Sequence, residues 1–203
     1  MDIVHVDAEL IVVNKPAGLL SVPGRGADKQ DCVIHRVREQ FPEALTVHRL
    51  DMATSGLLLM ARGPEMQRAL SLEFAERRVH KRYVALLDGW LDDDDETPWR
   101  TVELPLLADW PNRPRQKVDH AHGKPSQTRY RILARDGAAT RVELEPITGR
   151  THQLRVHMQA LGHPIVGDAL YGPDPREDQR LRLHASVLEL PTRGLRLHCP
   201  AEF

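Results

Sequence analysis

Residues 47–61 read VHRLDMATSGLLLMA, and the fold turns on how that stretch is interpreted. Its second half, 57–61, is an apolar run long enough for a buried strand. Its first half crowds His48, Arg49 and Asp51 together: a histidine that can carry charge, a cation and an acid. Thr54, Ser55 and Gly56 make a small, polar bridge between the halves. An acid at the mouth of a buried strand is costly unless paired, because desolvation disfavours the ion. A neighbouring guanidinium would hold it ionised, and a positioned carboxylate can act as a nucleophile. The same residues also suit a structural ion pair that closes a loop, and spacing alone does not separate the two. The order His-Arg-Leu-Asp is not the His-Arg-Asp-Leu of a kinase catalytic loop, and neither a Gly-rich phosphate loop nor a DFG triplet accompanies it.

Upstream, the runs 3–6 and 10–13 flank Asp7-Ala8-Glu9 and predict a β-hairpin. Pro16, Gly18, Pro23, Gly24 and Gly26 punctuate a loop that lacks Walker spacing and is placed as a wall beside the site. Asp31 is the candidate cap of a helix through Phe41 that Pro42 stops, and Pro64 the first residue of a helix to about Arg77. Strands are expected at 80–90, 101–107, 126–133, 139–145, 181–190 and 195–198, with loops at 92–98 and 172–179. Thr151 is the candidate cap of a helix that carries Arg155 and ends at Gly162. Strands and helices do not alternate regularly. The fold class is therefore α+β, a mixed and largely antiparallel sheet flanked by helices and loops, in one domain over residues 1–203.

Composition narrows the function. Lys and Arg number 28 against 29 Asp and Glu, so net charge is close to zero and only its distribution can serve a polyanion. Acid gathers at 92–96. Base gathers at 77–82, at 113–117 and at Arg129, Arg131 and Arg135. The segment 110–117 combines Trp110 with Arg113, Arg115 and Lys117 between prolines, a set that suits base stacking and phosphate contact and equally a proline-rich loop pinned by one aromatic. Cys32 and Cys199 are isolated, so neither a disulfide framework nor a metal site is indicated. His152 and His157 do not share a helix face, which argues against a metal pair. No apolar stretch approaches membrane-spanning length and no signal-like start is present, so the expectation is a cytoplasmic, metal-free monomer.

The stretch HRLDMATSGLLLMA resembles the catalytic motif of the RluA family of pseudouridine synthases. VVNKPAGLLSVPGRG (12–26), HKRYVALLDG (80–89), PITGRTHQLRVHMQALGHPIVGDALYG (146–172) and LRLHA (181–185) resemble the family's other motifs, in the same order. DWPNRPRQKV (109–118) is similar to a segment of those members that modify both tRNA and 23S rRNA. The resemblance implies the pseudouridine synthase catalytic fold; several members also carry an N-terminal S4-type domain, and with a first strand expected from about residue 3 none is expected here. It also implies isomerisation of uridine in RNA, in which the glycosidic C–N bond breaks and C5 of the uracil joins the ribose C1′. No cofactor is implied. Asp51 matches the family's essential aspartate, as nucleophile or as the group assisting glycal formation. Arg155 matches the arginine paired with it, and Tyr83 the tyrosine against the uracil, a candidate acceptor for the C5 proton. Arg49 matches the residue that replaces the flipped base in the stack. His48, Thr54 and Arg150, from the same motifs, join Arg49, Arg113, Arg115 and Lys117 as RNA-binding candidates. The implied substrates are stem-loops of tRNA, at the anticodon, and of 23S rRNA.

Two other classes compete. A retaining glycosidase would use Asp51 as nucleophile but needs a second carboxyl about 5 Å away, and no paired acid motif accompanies the other site stretches. A non-catalytic RNA-binding module would have no use for Asp51, Tyr83 and Arg155 together.

Overall fold

The apolar run 57–61 is the interior of a strand. The computed structural model describes residues 1–92, 99–173 and 180–203. The loops expected at 92–98 and 172–179 fall largely outside the described residues. In chain order the elements are β1 (Asp2–Val6), β2 (Leu10–Lys15), α1 (Val33–Arg38), β3 (Ala44–Thr46), β4 (Ser55–Arg62) and α2 (Pro64–Ala75). There follow β5 (His80–Asp88), β6 (Arg100–Glu103), β7 (Leu106–Ala108), β8 (Gln116–Val118), β9 (Gln127–Asp136) and β10 (Ala139–Pro146). Last come α3 (Gln153–Ala160), β11 (Leu183–Leu190) and β12 (Leu195–His198). Strand pairing is mostly antiparallel, with β4 and β11 parallel, so the α+β expectation holds.

The chain forms two compact units. The first comprises Met1–Lys81 and His184–Glu202, the second Arg82–Leu183 and Phe203. In the first, β2 pairs antiparallel with β1 and β4, β3 adds to β4, and β12 adds to β11. β4 and β11 run parallel, with Ser55 opposite His184 and Gly56 opposite Ala185. Leu57, Leu59 and Ala61 pack with Leu10, Val12, Leu70 and Leu188. Leu58 and Met60, which alternate with them, are also almost fully buried. Burial on both faces is why the run is continuous rather than alternating. Each large aliphatic side chain here contributes about 1.5–3 kcal/mol.

In the second unit β10 pairs antiparallel with β5 and β9, and β6 pairs with β9. The strand expected at 101–107 is split at Pro105 into β6 and β7, because proline has no N–H to continue the ladder. β7 pairs with β8, so the segment expected to be irregular is the tip and return strand of a hairpin. Long strands were legible by pattern, whereas three-residue strands carry too few side chains to show a period.

Two helix starts differ from expectation. Cys32, not Asp31, is the N-cap of α1, which ends at Arg38. The Asp31 carboxylate instead receives two bonds from Arg36, at 2.7 and 2.6 Å. α3 starts after His152, in a left-handed conformation with φ 54°, and Thr151 makes no cap. The turn before α3 is held by Gln153. Its Oε1 accepts from Thr148 Oγ1 and the Arg150 N–H, and its Nε2 donates to Gln127 O and Thr128 Oγ1.

The loop that carries Asp51 is tied to the loop after β2. Lys15, fully buried, donates from Nζ to the carbonyls of Pro16 (2.9 Å), Leu19 (2.8 Å) and Met52 (3.0 Å). The Gly18 N–H donates to the same Met52 carbonyl at 2.8 Å. Ser21 Oγ donates to Leu50 O and accepts the Leu50 N–H. The wall anticipated from the sequence is therefore a clamp. Burial lowers the Lys15 pKa from 10.5 to about 8, against the attraction of Asp51.

Two outcomes follow from this architecture. Gly56 has φ +109°, and a Cβ there would lie 2.3 Å from Ala185 O and 2.5 Å from Ala185 N. Gly56→Ala is expected to lower stability by more than about 3 kcal/mol in urea titration, and a loss under about 1 kcal/mol would refute the close approach. For Lys15, the native state releases its proton from pH 8 upward while the unfolded chain keeps its own to about 10.5. Unfolding free energy therefore gains with pH across that window, by up to about 1.4 kcal/mol per unit. The difference between wild type and Lys15→Met should climb between pH 8 and 10.5, and a flat difference would contradict a buried, titrating lysine.

Candidate active site and RNA-facing residues

Asp51 sits in the turn just before β4. Its carbonyl accepts the Thr54 N–H at 3.1 Å, closing a tight bend that half-buries Asp51 and leaves Arg49 exposed. The carboxylate is close enough to Lys15 to raise that lysine's pKa against burial. The clamp fixes the backbone on both sides of Asp51, at Leu50 and Met52, so its Cα has little freedom. A carboxylate on an immobilised turn beside a buried ammonium is suited to approach a reacting carbon or to stabilise positive charge there.

His48 and Thr54 depart from the RNA-binding expectation. His48 Nε2 accepts the Leu59 N–H at 3.0 Å, and its ring stacks on Phe74 at 4.7 Å. Accepting from an N–H requires an unprotonated Nε2. Burial, with the Lys81 charge as a smaller cause, pushes its pKa down to about 3. It is thus a neutral brace for β4, not a cation. Thr54 is buried, at 2% exposure, and its backbone closes the Asp51 turn, so its side chain is not presented to RNA.

In the second unit, Tyr83 lies on β5 opposite Leu144 of β10 and is mostly buried. Arg155 occupies the first turn of α3 and is 4% exposed. Its Nε and Nη2 donate to the two oxygens of Asp168 at 2.7 and 2.6 Å, a fork-to-fork pair inside the protein. Asp168 Oδ1 also accepts the N–H groups of Leu170 and Tyr171. Tyr171 lies 5.0 Å from the Arg155 guanidinium, and its hydroxyl accepts the Gln116 N–H at 2.7 Å. Breaking such a buried pair from one side costs about 3–5 kcal/mol, because the other charge is left without compensation. Arg155 is therefore presented in one orientation.

The basic clusters divide. Arg82, Arg129 and Arg131 gather on the Trp99 ring, at 5.7, 4.9 and 4.9 Å. Glu145 pairs with Arg129 at 3.0 Å, and Glu143 with Arg131 at 2.6 Å. Arg135 donates to the Leu91 carbonyl. Glu143 and Glu145 thus offset Arg129 and Arg131 across β9 and β10, so those two arginines add less to the expected cationic face than their count suggests. At the β7–β8 hairpin the expectation fares differently. Trp110 is 66% exposed and carries Arg113 over its ring at 4.0 Å, so it does not pin the loop. Arg115 and Lys117 are exposed, Arg115 bonding the Leu170 carbonyl and Lys117 lying 3.7 Å from Asp119. Arg150 is exposed and its Nε donates to Pro125 O at 3.2 Å.

Lys15, Asp168, Gln153 and Tyr171 were not singled out from the sequence. A lysine directly after the apolar run LIVVN was the available signal for the first, since a strand that is buried throughout does not end on a free ammonium. Among the described residues no group of three or more His, Cys, Asp or Glu side chains is placed to hold a metal ion, and no helix is long and apolar enough to cross a membrane.

Residues 9–160 match the family model of RNA pseudouridylate synthase. The dual-specificity RNA pseudouridine synthase RluA of Yersinia pestis is 48% identical over 100% of both chains. Its Escherichia coli K12 counterpart is 48% identical over 99% of this chain and 93% of its own. Among solved structures, human RNA pseudouridylate synthase domain containing 1 superposes with a TM-score of 0.80 at 33% identity, covering 99% of this chain and 83% of that one. Human RNA pseudouridylate synthase domain containing 4 gives 0.77 at 25% identity, covering 98% and 88%. A match over most of the chain, with relatives of this identity along its full length, establishes that the chain belongs to the RNA pseudouridylate synthase family and is an isomerase of RNA uridine.

Proposed function

We propose that this enzyme has dual specificity, converting uridines to pseudouridine in stem-loops of both tRNA and 23S rRNA, with Asp51 as its essential acid. The relatives that match over nearly their whole length are dual-specificity enzymes. The observation that carries the assignment of Asp51 is its seat: a turn locked from both sides by Lys15 and Ser21, at the entrance of a buried strand. Asp51 attacks the target nucleoside or assists its glycal route, Tyr83 receives the C5 proton, and Arg155 supplies the oriented positive charge of the reaction. Arg49 fills the stack where the target base leaves, at a cost of a few kcal/mol that is least in a loop. Arg113, Arg115, Lys117 and Arg150 contact phosphates, with Trp110 offering a stacking face. The enzyme works in the cytoplasm, as a monomer, and without a metal.

Asp51→Asn tests the chemistry. It should bind a tRNA anticodon stem-loop within about threefold of wild type, yet lose at least about a thousandfold in product. Selective chemical derivatisation of pseudouridine reads the product, and retained turnover would remove Asp51 from the mechanism. Arg113→Ala tests the interface. The slope of log affinity against log salt should fall by about one, and an unchanged slope would exclude a phosphate contact.

A further inference from the structure

The face shared by β8 and α3 holds a cavity of about 330 Å³. That volume lies at the lower end of the range for small-molecule sites, about 300–1,000 Å³. Its walls combine three kinds of group. Val118, Val156 and Ala160 are apolar, and the Tyr171 ring is aromatic. Gln116 and Gln159 bring amides, each able to donate and accept. Arg115 and Lys117 bring positive charge, and Asp109 a single acid.

Val156 and Tyr171 are buried with Leu106 and form the floor, Val118 is packed against them, and the mouth is open. Gln159 and Ala160 are exposed at the end of α3, and Arg115 and Lys117 are exposed on the hairpin. The site is nevertheless built. The Tyr171 hydroxyl is fixed by the Gln116 N–H at 2.7 Å and by His152 Nδ1 at 2.8 Å. The Arg115 guanidinium is held over the Tyr171 ring at 5.6 Å and bonded to the Leu170 carbonyl. Among the described residues Lys117 is engaged by Asp119, at 3.7 Å and half-exposed, a contact worth little in water and open to exchange for a phosphate. Asp109 accepts from Asn112 Nδ2 at 2.9 Å and keeps capacity for another donor.

A flat ring with polar edges and an attached anion matches this set. Val118 and Ala160 give a base apolar contact above the buried Tyr171 floor, amides and an acid read its edge, and cations at the rim take its phosphate. We propose that the cavity between β8 and α3 receives one unpaired nucleotide of the substrate loop, other than the uridine that is isomerised. The inference rests on the reading of the chain as an enzyme of RNA stem-loops and adds a specificity pocket to it. The acid at Asp109 suits an exocyclic amino group, so an amino-bearing base is preferred there over uracil.

The probe is a transcript of a tRNA anticodon arm, with each loop nucleotide except the target uridine replaced in turn by an abasic residue. One abasic position should raise the wild-type KM about tenfold, the size of one lost base contact. Ala160→Trp, which fills the cavity from the exposed end of α3, should raise KM by a similar factor while kcat stays within about twofold. Combined, the two changes should cost no more than either alone, as coupled sites do. Gln159→Ala is the second variant, used where Ala160→Trp does not fold. It should weaken discrimination among bases at that same position. Independently of catalysis, methyl resonances of Val118 and Val156 should shift on adding the intact transcript and not the abasic one. Unchanged KM in the variants, additive losses at every abasic position, or unmoved methyls would overturn the pocket. A wild-type protein that forms no pseudouridine would instead overturn the enzyme reading, and the methyl shifts would still decide the cavity.

Discussion

A buried ammonium organises the first unit. Lys15 is taken fully out of water at the end of β2, and its three protons go to the carbonyls of Pro16, Leu19 and Met52. An ammonium without partners in that position would be strongly disfavoured. Carbonyl oxygens from two different loops must therefore converge on it, which sets the backbone at Met52, while Ser21 sets it at Leu50 on the other side of Asp51. The nearby carboxylate attracts the same charge, which offsets part of the burial penalty. A charge that is costly by itself becomes a means of holding a loop in one conformation.

The second unit uses a complementary device. Arg155 is buried with both oxygens of Asp168 on its Nε and Nη2. The same carboxylate gathers the N–H groups of Leu170 and Tyr171, and Tyr171 in turn takes the Gln116 N–H from the hairpin. One acid thus links α3, the chain after it and β8. Buried ion pairs are often no more stabilising than apolar packing. Here the gain is orientation, since a guanidinium held by its fork cannot swing. The β7–β8 hairpin is built outward from this network, with Trp110 and Arg113 at its tip.

Much of the arrangement could be read before any coordinates. The run 57–61 declared a strand covered on both faces, and β4 is that strand. Pro64 opens α2 as its missing N–H predicts. Caps were read less well. Asp31 and Thr151 have the right side chains, yet Asp31 is taken by Arg36, and the turn before α3 is satisfied by Gln153. Capping is a competition among nearby groups, and sequence names the candidates without naming the winner. The basic residues divided for a related reason. Arg129 and Arg131 were counted as cationic surface, but glutamates on the neighbouring strand β10 neutralise them. A one-dimensional count of charge does not see cross-strand partners.

By itself, the order of residues determined which segments are buried, since a side chain's cost in water belongs to the residue alone. It also determined the family, because the motifs stand in the chain whatever their positions in space. Tertiary structure alone decided which polar group answers which. That Lys15 holds Met52, that Asp168 holds Arg155 and that His48 braces Leu59 as a neutral ring depends on distances between residues remote in sequence. Hydrogen bonds and ion pairs fall off within a few ångströms, so they exist only once the hydrophobic pattern has brought their partners together.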